Sequence, residues 1–547
     1  MSAARRRRSG RPGAEQGPAA RGVTDAPRAW VPFGLIVAAA SLYYAVFILR
    51  TSFTIAGRRY FSLFDDAMIS MRYARHLVAG HGLVWNVGDA PVEGFSNPLW
   101  TLVMAGVHLL PLPARFASLP VQLLGIAILV VNLVLVRRLA RVLVPGSTGV
   151  ATAAVVLTAF YYPLADWTLQ GMEVGLLAAL TTAATWMVLA RRSPWRLYGV
   201  LAAGTLVRLD YAVVLVCLCL GAAWLDRERR RAHLALGLGT VLLSLGGQTL
   251  ARLLYFGDAL PNTYYLKLTG YPVLLRITRG AWVLWRFIVQ AKGLPVLLPA
   301  LALALAEPAQ RRRLALPVAA FAAMCAYSVW VGGDAWEDGG VCNRFITAVM
   351  PPVLVVCAAL PWPRRMQGVW SGPAGRVLGV LLVLAGSLAL SPPRSLLLLD
   401  PPLLVEANRA LVEKGLAAAA VTTPDAHVAA AAAGAIGYFS GRYVVDMLGK
   451  SDRFVARLPM RQAIRQDPLT YFYPGHLKWD YSYSIGRLEP DVVTQLWEYP
   501  VEARPYLEGR YTGAYAYLGT EPVSLGLRLG SRKVLWDRLS PTGSGTR

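Results

Sequence analysis

The sequence predicts a polytopic, all-α membrane protein of about eleven transmembrane helices, followed by a C-terminal extracytoplasmic α/β domain. Three observations carry this expectation: an apolar composition, short arginine clusters between apolar runs, and a change of character after about Ser391. Apolar side chains make up 55% of the 547 residues and charged ones only 16%, which fits a multi-spanning chain and not a single soluble globule.

The formal net charge is +24, a value that also suits nucleic-acid binding. Location argues otherwise, because much of the excess falls at Arg5–Arg8, Arg137/Arg138/Arg141, Arg191/Arg192/Arg196, Arg227/Arg229–Arg231, Arg311–Arg313 and Arg364/Arg365. Cations confined to the short loops of one side are the positive-inside pattern, so the charge reports topology and no nucleic-acid partner is expected. Cys217, Cys219, Cys325 and Cys357 lie in apolar runs and Cys342 in an outer loop. No disulfide framework or cysteine metal site follows from them.

Residues 1–28, rich in Arg, Gly and Ala, read as a disordered cytoplasmic tail. Residues 29–390 read as the transmembrane domain. The run 29–49 is long enough to span, so the loop from 50 onward lies outside. The next apolar run, Pro98 to Pro113, is short and broken by prolines. If it crossed, the Arg137–Arg141 cluster would fall outside; if it lies along the interface, every later cluster falls inside. The first outer loop therefore extends over 50–116. Further spans follow near 117–136, 148–164, 172–190, 197–207, 211–225, 233–255, 281–306, 314–331, 345–360 and 374–391.

From 391 to 547 the apolar runs shorten. Leu404, Leu411, Val412 and Leu416 repeat at helical spacing. Ala420–Thr422, Ala435–Phe439 and Tyr443–Met447 read as strands bounded by Pro424, Gly441 and Gly449.

Unusual polar residues collect on the outer side. The first loop holds Asp65, Asp66, Arg72, Arg75, Glu93 and Asn97; later loops add Glu173, Arg208 and Asp210, then Asn262, Tyr264 and Lys267, then Asp334 and Arg344. Two carboxylates beside a bilayer suggest chemistry at the membrane surface. A carboxylate can take a proton from an attacking hydroxyl, and Arg or Lys can offset charge growing on a phosphate leaving group. Trp85, Trp167, Tyr264 and Tyr265 offer faces for sugar or isoprenoid. The competing reading of Asp65 or Asp66 is a cap on the helix that follows. Arg208 and Asp210 have the competing reading of a structural pair, and Gly332-Gly333 that of a turn with Asp334 capping it.

Several segments carry a resemblance. Phe64-Asp-Asp-Ala-Met-Ile-Ser-Met-Arg-Tyr-Ala-Arg75, His81-Gly-Leu-Val-Trp-Asn86, Val92-Glu-Gly-Phe-Ser-Asn-Pro-Leu-Trp100, Leu260-Pro-Asn-Thr-Tyr-Tyr-Leu-Lys267, Val331-Gly-Gly-Asp334 with Asn343-Arg-Phe345, and Val444-Val-Asp-Met-Leu-Gly449 look like the GT-C glycosyltransferases. Within that superfamily they resemble the terminal β-(1→2) arabinofuranosyltransferases of actinobacterial cell walls. The resemblance implies transfer of a sugar, arabinofuranose, from a polyprenyl-phosphate donor to an envelope polysaccharide at the outer face of the cytoplasmic membrane. It implies Asp65 or Asp66 as base, with Asp65 preferred, and Arg72, Lys267 and Arg344 at the donor phosphate. Glu93, Asn97, Glu173, Arg208, Asn262, Tyr264 and Asp334 are expected to bind substrate, without a metal or cofactor. A transporter and a non-enzymatic envelope or motility scaffold remain the alternatives.

Overall fold

The computed structural model describes residues 30–290, 308–334, 343–359, 381–461 (apart from 382, 390 and 403), 469, 472–519 and 521–539. The expected tail, parts of the predicted spans 281–306 and 374–391, Trp336, Cys342 and the Arg364/Arg365 cluster lie outside them.

Among the described residues, four helices are long and apolar enough to cross a membrane: Val31–Thr51, Ala114–Leu143, Arg230–Phe256 and Arg311–Val331. The predicted span 148–164 is instead a broken pair, Thr148–Ala159 and Tyr162–Leu169, bent by 49°. Pro163 at the start of the second piece explains the break, since proline suits a first helical turn and not an interior. Val174–Leu189, Leu209–Leu225 and Met350–Ala359 are shorter apolar helices. The first helix buries Ala40, Tyr44 and Phe47 and exposes Leu35, Leu42 and Leu49. Its Tyr44 hydroxyl donates to the Ala159 carbonyl at 2.7 Å.

The segment expected to lie along the interface forms the helix Pro98–His108. Its 11 residues rise only about 16 Å, half of what a bilayer core of about 30 Å requires. Trp100 Nε1 ties it to the Gly171 carbonyl at 2.8 Å.

The helix Asp65–Val78 begins on both acids and ends on Arg75 and His76, the charge order that complements a helix dipole. Its small and flexible side chains, Ala67, Met68, Ser70, Met71 and Ala74, are all buried. This lets it pack between Pro98–His108 and the helix Ala433–Ser440 of the C-terminal part.

A hairpin, β1 (Phe53–Ile55) with β2 (Arg58–Tyr60), opens the first loop. In the C-terminal part, β3 (His427–Ala430) pairs in parallel with β4 (Tyr443–Asp446) and β5 (Val492–Val493), and β7 (Glu521–Arg528) runs antiparallel to β5 and to β6 (Tyr511–Leu518). The five strands form one sheet in the order β4-β3-β5-β7-β6. The helical periodicity at 404–416 becomes the helix Val405–Ala420. Two strand expectations are corrected. Ala420–Thr422 closes that helix and leaves only an isolated bridge from Thr422 to Val534. Ala435–Phe439 lies within the helix Ala433–Ser440, which ends on Gly441 at φ 62°. A short apolar run has no decisive period, and packing against two other helices selected the helix.

Alternation along β3 sends Val428 and Ala430 into one core and Ala429 into another. The first of these cores also contains Ile69, Tyr73, Trp85 and Phe95 of the first loop. The loop and the sheet therefore share one interior.

Candidate active site

Phe64 has extended backbone and donates its N–H to the Gln170 carbonyl at 3.0 Å, so the acids emerge where the chain turns into its helix. Neither acid caps that helix. Asp65 caps a different one: its two oxygens accept the N–H groups of Gly434 (3.3 Å) and Ala435 (2.7 Å). A Cβ at Gly434 would stand 2.0 Å from the Asp65 carbonyl oxygen, so only glycine permits this approach.

Asp66 turns the other way. One oxygen receives the Lys450 ammonium and the other the Arg344 guanidinium at 3.0 Å. Arg344 also grips Asp334 with two parallel bonds of 2.6 and 2.7 Å, and its plane lies 5.1 Å above the Trp167 ring. A planar fork with five donors is suited to bridging two carboxylates in this way. Asn343 holds the turn that presents Arg344, accepting the N–H of Phe345 at 2.9 Å.

The two acids differ in proton affinity. Burial pushes Asp65 up to about 6, with Asp66 adding to the shift and the backbone donors opposing it. Burial acts on Asp66 in the same direction, but Lys450, Arg344 and Lys267 together hold it well below the carboxylate range. Asp334 is held at about 2 against its burial, chiefly by Arg344. Lys267, from the helix Asn262–Leu268, runs its stem along Gly475. Burial lowers it to about 8, with Lys450 and Arg344 repelling it. Its ammonium has no hydrogen bond or ion pair among the described residues, unlike those of Lys450 and Arg344 beside it.

Both acids and Lys450 border a cavity of about 300 Å³, with Gly475, His476 and Trp497 and with walls from the Val405–Ala420 helix; Lys267, Arg344 and Asp334 are not among its lining residues. Among the described residues, no three His, Cys, Asp or Glu side chains gather as a metal site.

The structure thus brings together Asp65, Asp66, Lys267, Asp334 and Arg344. It does not place Arg72 with them. Arg72 is buried over the Trp85 ring, and its donors go to the carbonyls of Trp85, Gly437 and Arg442 and to Asn86 Oδ1. This corrects its assignment to the donor phosphate, because all three of its nitrogens are committed to the protein interior. Trp85 and Trp167 are themselves buried, which removes them as sugar platforms.

The remaining expected substrate residues, Tyr264 apart, serve as internal ties. Glu93 pairs with Arg252 at 2.7 Å. Asn97 accepts from Ser70 of the acid-bearing helix and donates to Glu173 at 2.8 Å. Glu173 meets Arg208 at 3.0 Å, and Arg208 meets Asp210 at 2.6 Å. The structural reading of Arg208 and Asp210 as a pair therefore holds. Asn262 Nδ2 donates to the carbonyls of Gly449, Lys450 and Asp452 at 2.9 to 3.2 Å, fixing the turn that carries Lys450. Tyr264 is exposed at the edge of Tyr265 and touches none of the acids.

Sequence reasoning missed Lys450, His476, Asn408 and Trp497. Lys450 had a signal, since it directly follows Val444-Val-Asp-Met-Leu-Gly449. Gly449 sits at φ 79°, where a Cβ would press on Val455 at 2.8 Å, so glycine suits the turn that delivers Lys450 to Asp66.

The fold is shared with solved structures. ArnT from Cupriavidus metallidurans in the apo state aligns with 91% of this chain and 98% of its own, at 13% identity and a TM-score of 0.53. The same protein bound to undecaprenyl phosphate aligns at 14% identity and a TM-score of 0.53, over 92% of this chain and 99% of its own. The apo oligosaccharyltransferase of Archaeoglobus fulgidus aligns at 11% identity and a TM-score of 0.50, covering 88% of this chain and 73% of its own. The chain has the GT-C fold.

A curated relative, the terminal beta-(1->2)-arabinofuranosyltransferase of Mycobacterium tuberculosis, is 26% identical over 218 residues, or 39% of this chain. The match spans 33% of that relative's length. Residues 405–524 match a family described as "Domain of unknown function (DUF8728)".

Proposed function

We propose that the protein is a membrane glycosyltransferase that moves a sugar, arabinofuranose, from a polyprenyl-phosphate donor to an envelope polysaccharide on the outer side of the cytoplasmic membrane. In this reading the C-terminal domain is extracytoplasmic. The observation that carries it is the division of labour between two adjacent acids over one cavity: Asp65 keeps a proton affinity near neutrality, and Asp66 sits in a field of three cations. A general base works best with a pKa near the working pH, which favours Asp65.

The reaction follows from these roles. The acceptor hydroxyl oxygen attacks the anomeric carbon while the bond from that carbon to the phosphate oxygen breaks. The hydroxyl proton passes to Asp65. The departing polyprenyl phosphate gains a negative charge, which Lys267, Arg344 and Lys450 offset. Asp66 and Asp334 hold the cations in position until the phosphate competes for them. The arabinofuranosyl choice rests on the mycobacterial relative and the lipid carrier on the ArnT complex.

The test is transfer by purified protein from a synthetic polyprenyl-phosphate arabinofuranose to an arabinofuranosyl oligosaccharide. Turnover is expected with this donor. Turnover only with a nucleotide sugar would overturn the lipid-carrier mechanism, and no turnover with any sugar donor would overturn the enzymatic reading.

A further inference from the structure

The cavity has a wall that the donor chemistry leaves unused. The positions Leu404, Asn408, Leu411 and Lys414 follow one face of the Val405–Ala420 helix and turn it toward the cavity that both acids border. Asn408 is only 5% exposed, yet its amide makes no hydrogen bond among the described residues. An amide that opens onto a cavity without a protein partner is placed to bond whatever fills it. The Lys414 ammonium, half-buried on the same face, also lacks an ion pair or hydrogen bond among the described residues. Trp497, its indole N–H anchored to the His476 carbonyl at 2.9 Å, lines the same cavity with an aromatic ring.

We propose that this face is the acceptor subsite, where Asn408 hydrogen-bonds a hydroxyl of the saccharide end whose neighbouring hydroxyl attacks the donor. This rests on the glycosyltransferase reading. An amide that both donates and accepts suits a hydroxyl, and an aromatic wall suits the C–H face of a sugar ring. The volume, at the lower end of the range of about 300–1,000 Å³ for small-molecule sites, fits a chain end and not a folded partner. The position is also mechanistically apt. The cations gather around Asp66, whereas Asp65 accepts from the Ala433–Ser440 helix, which packs on the helix that carries Asn408, so an acceptor held there lies beside the base. The specificity for the acceptor then resides in the domain matched at residues 405–524.

The test uses the full chain in detergent and a synthetic octyl arabinofuranosyl disaccharide, with binding measured without donor and transfer measured with it. Asn408→Leu is expected to weaken disaccharide binding about tenfold or more and to raise the acceptor KM by a similar factor, a larger change than in the donor KM. Arg409→Gln, on the outer face where Arg409 pairs with Glu413 and Glu521, is the control and should bind as the unaltered protein does. If the leucine variant does not fold, Asn408→Ala, which only enlarges the cavity, takes its place with the same expected weakening. Unaltered binding by the Asn408 variant, or no binding by the unaltered protein, overturns the subsite. Asn408-dependent binding without transfer from any donor supports the subsite and overturns the transferase reading instead.

Discussion

The Asp65 carboxylate accepts the backbone N–H of Ala435 at 2.7 Å, across 370 positions of sequence. The acid of the first loop is thereby clasped by the C-terminal domain, and beside it Lys450 of that domain meets Asp66. The cavity exists only where the two parts meet, so substitutions on either side of the junction should reach the chemistry.

Asp65→Asn should lower transfer by roughly 10²–10⁴-fold. Its amide oxygen keeps one of the two backbone N–H bonds and its NH₂ faces the other, so a stability loss of only one hydrogen bond, about 1 kcal/mol, is expected beside it. Below about pH 6 the unaltered rate should fall tenfold per unit, since the base must be ionised and burial places it near 6. The effects on stability have opposite signs. Asp65, raised from 3.8, contributes stability that is present below that value and lost as pH rises through 6. Asp66, depressed, contributes stability present above 3.8 and lost as pH falls. A pH–rate profile and pH-dependent melting check both; wild-type turnover in both Asp65→Asn and Asp66→Asn would remove the acids from the chemistry.

Lys267 and Arg344 should separate function from stability. Lys267→Met removes a cation that has no ion pair among the described residues, so it should slow turnover with the lipid-phosphate donor and leave melting nearly unchanged. Arg344→Gln strips the shared partner from Asp66 and Asp334, and breaking a buried pair in this way costs about 3–5 kcal/mol. Turnover at saturating donor and thermal melting, measured on both variants, distinguish the two roles.

Arg72→Met should behave as a structural lesion. It removes the side-chain donor from three carbonyls at the junction with the Ala433–Ser440 helix, and Asn86 Oδ1 keeps only the Val444 N–H. A loss on the order of 3 kcal/mol or more is expected, with the donor KM of the folded fraction little changed. A raised donor KM at unaltered stability would return Arg72 to the phosphate.

Reporter fusions after Leu143 and after Arg394 are expected to read inside and outside respectively. The warrant is the alternation of arginine clusters together with a Pro98–His108 helix too short to cross. The opposite result at either position breaks this topology.

Membrane character, the acidic pair and the Lys267 and Arg344 cations could be read from the chain because each leaves a local mark: an apolar run, a cluster, a charge where charge is expensive. The role of Arg72 could not be read. An arginine two turns beyond an acidic pair looks the same in sequence whether it faces a phosphate or a set of carbonyls 365 and 370 positions away. Glu93, Asn97, Glu173 and Arg208 looked like ligands for the same reason, and each proved to be satisfied by another buried side chain.

The residues alone therefore marked the chain as membrane-spanning and picked out the two adjacent acids, since hydropathy and charge act along the chain. Packing determined the rest: that Ala433–Ser440 is a helix offering its first N–H groups to Asp65, that Lys450 completes the surroundings of Asp66, and that Asn408 faces the cavity. Those outcomes depend on hydrogen bonds and burial between segments hundreds of residues apart, and no local pattern encodes which buried polar group finds a partner and which is left for a ligand.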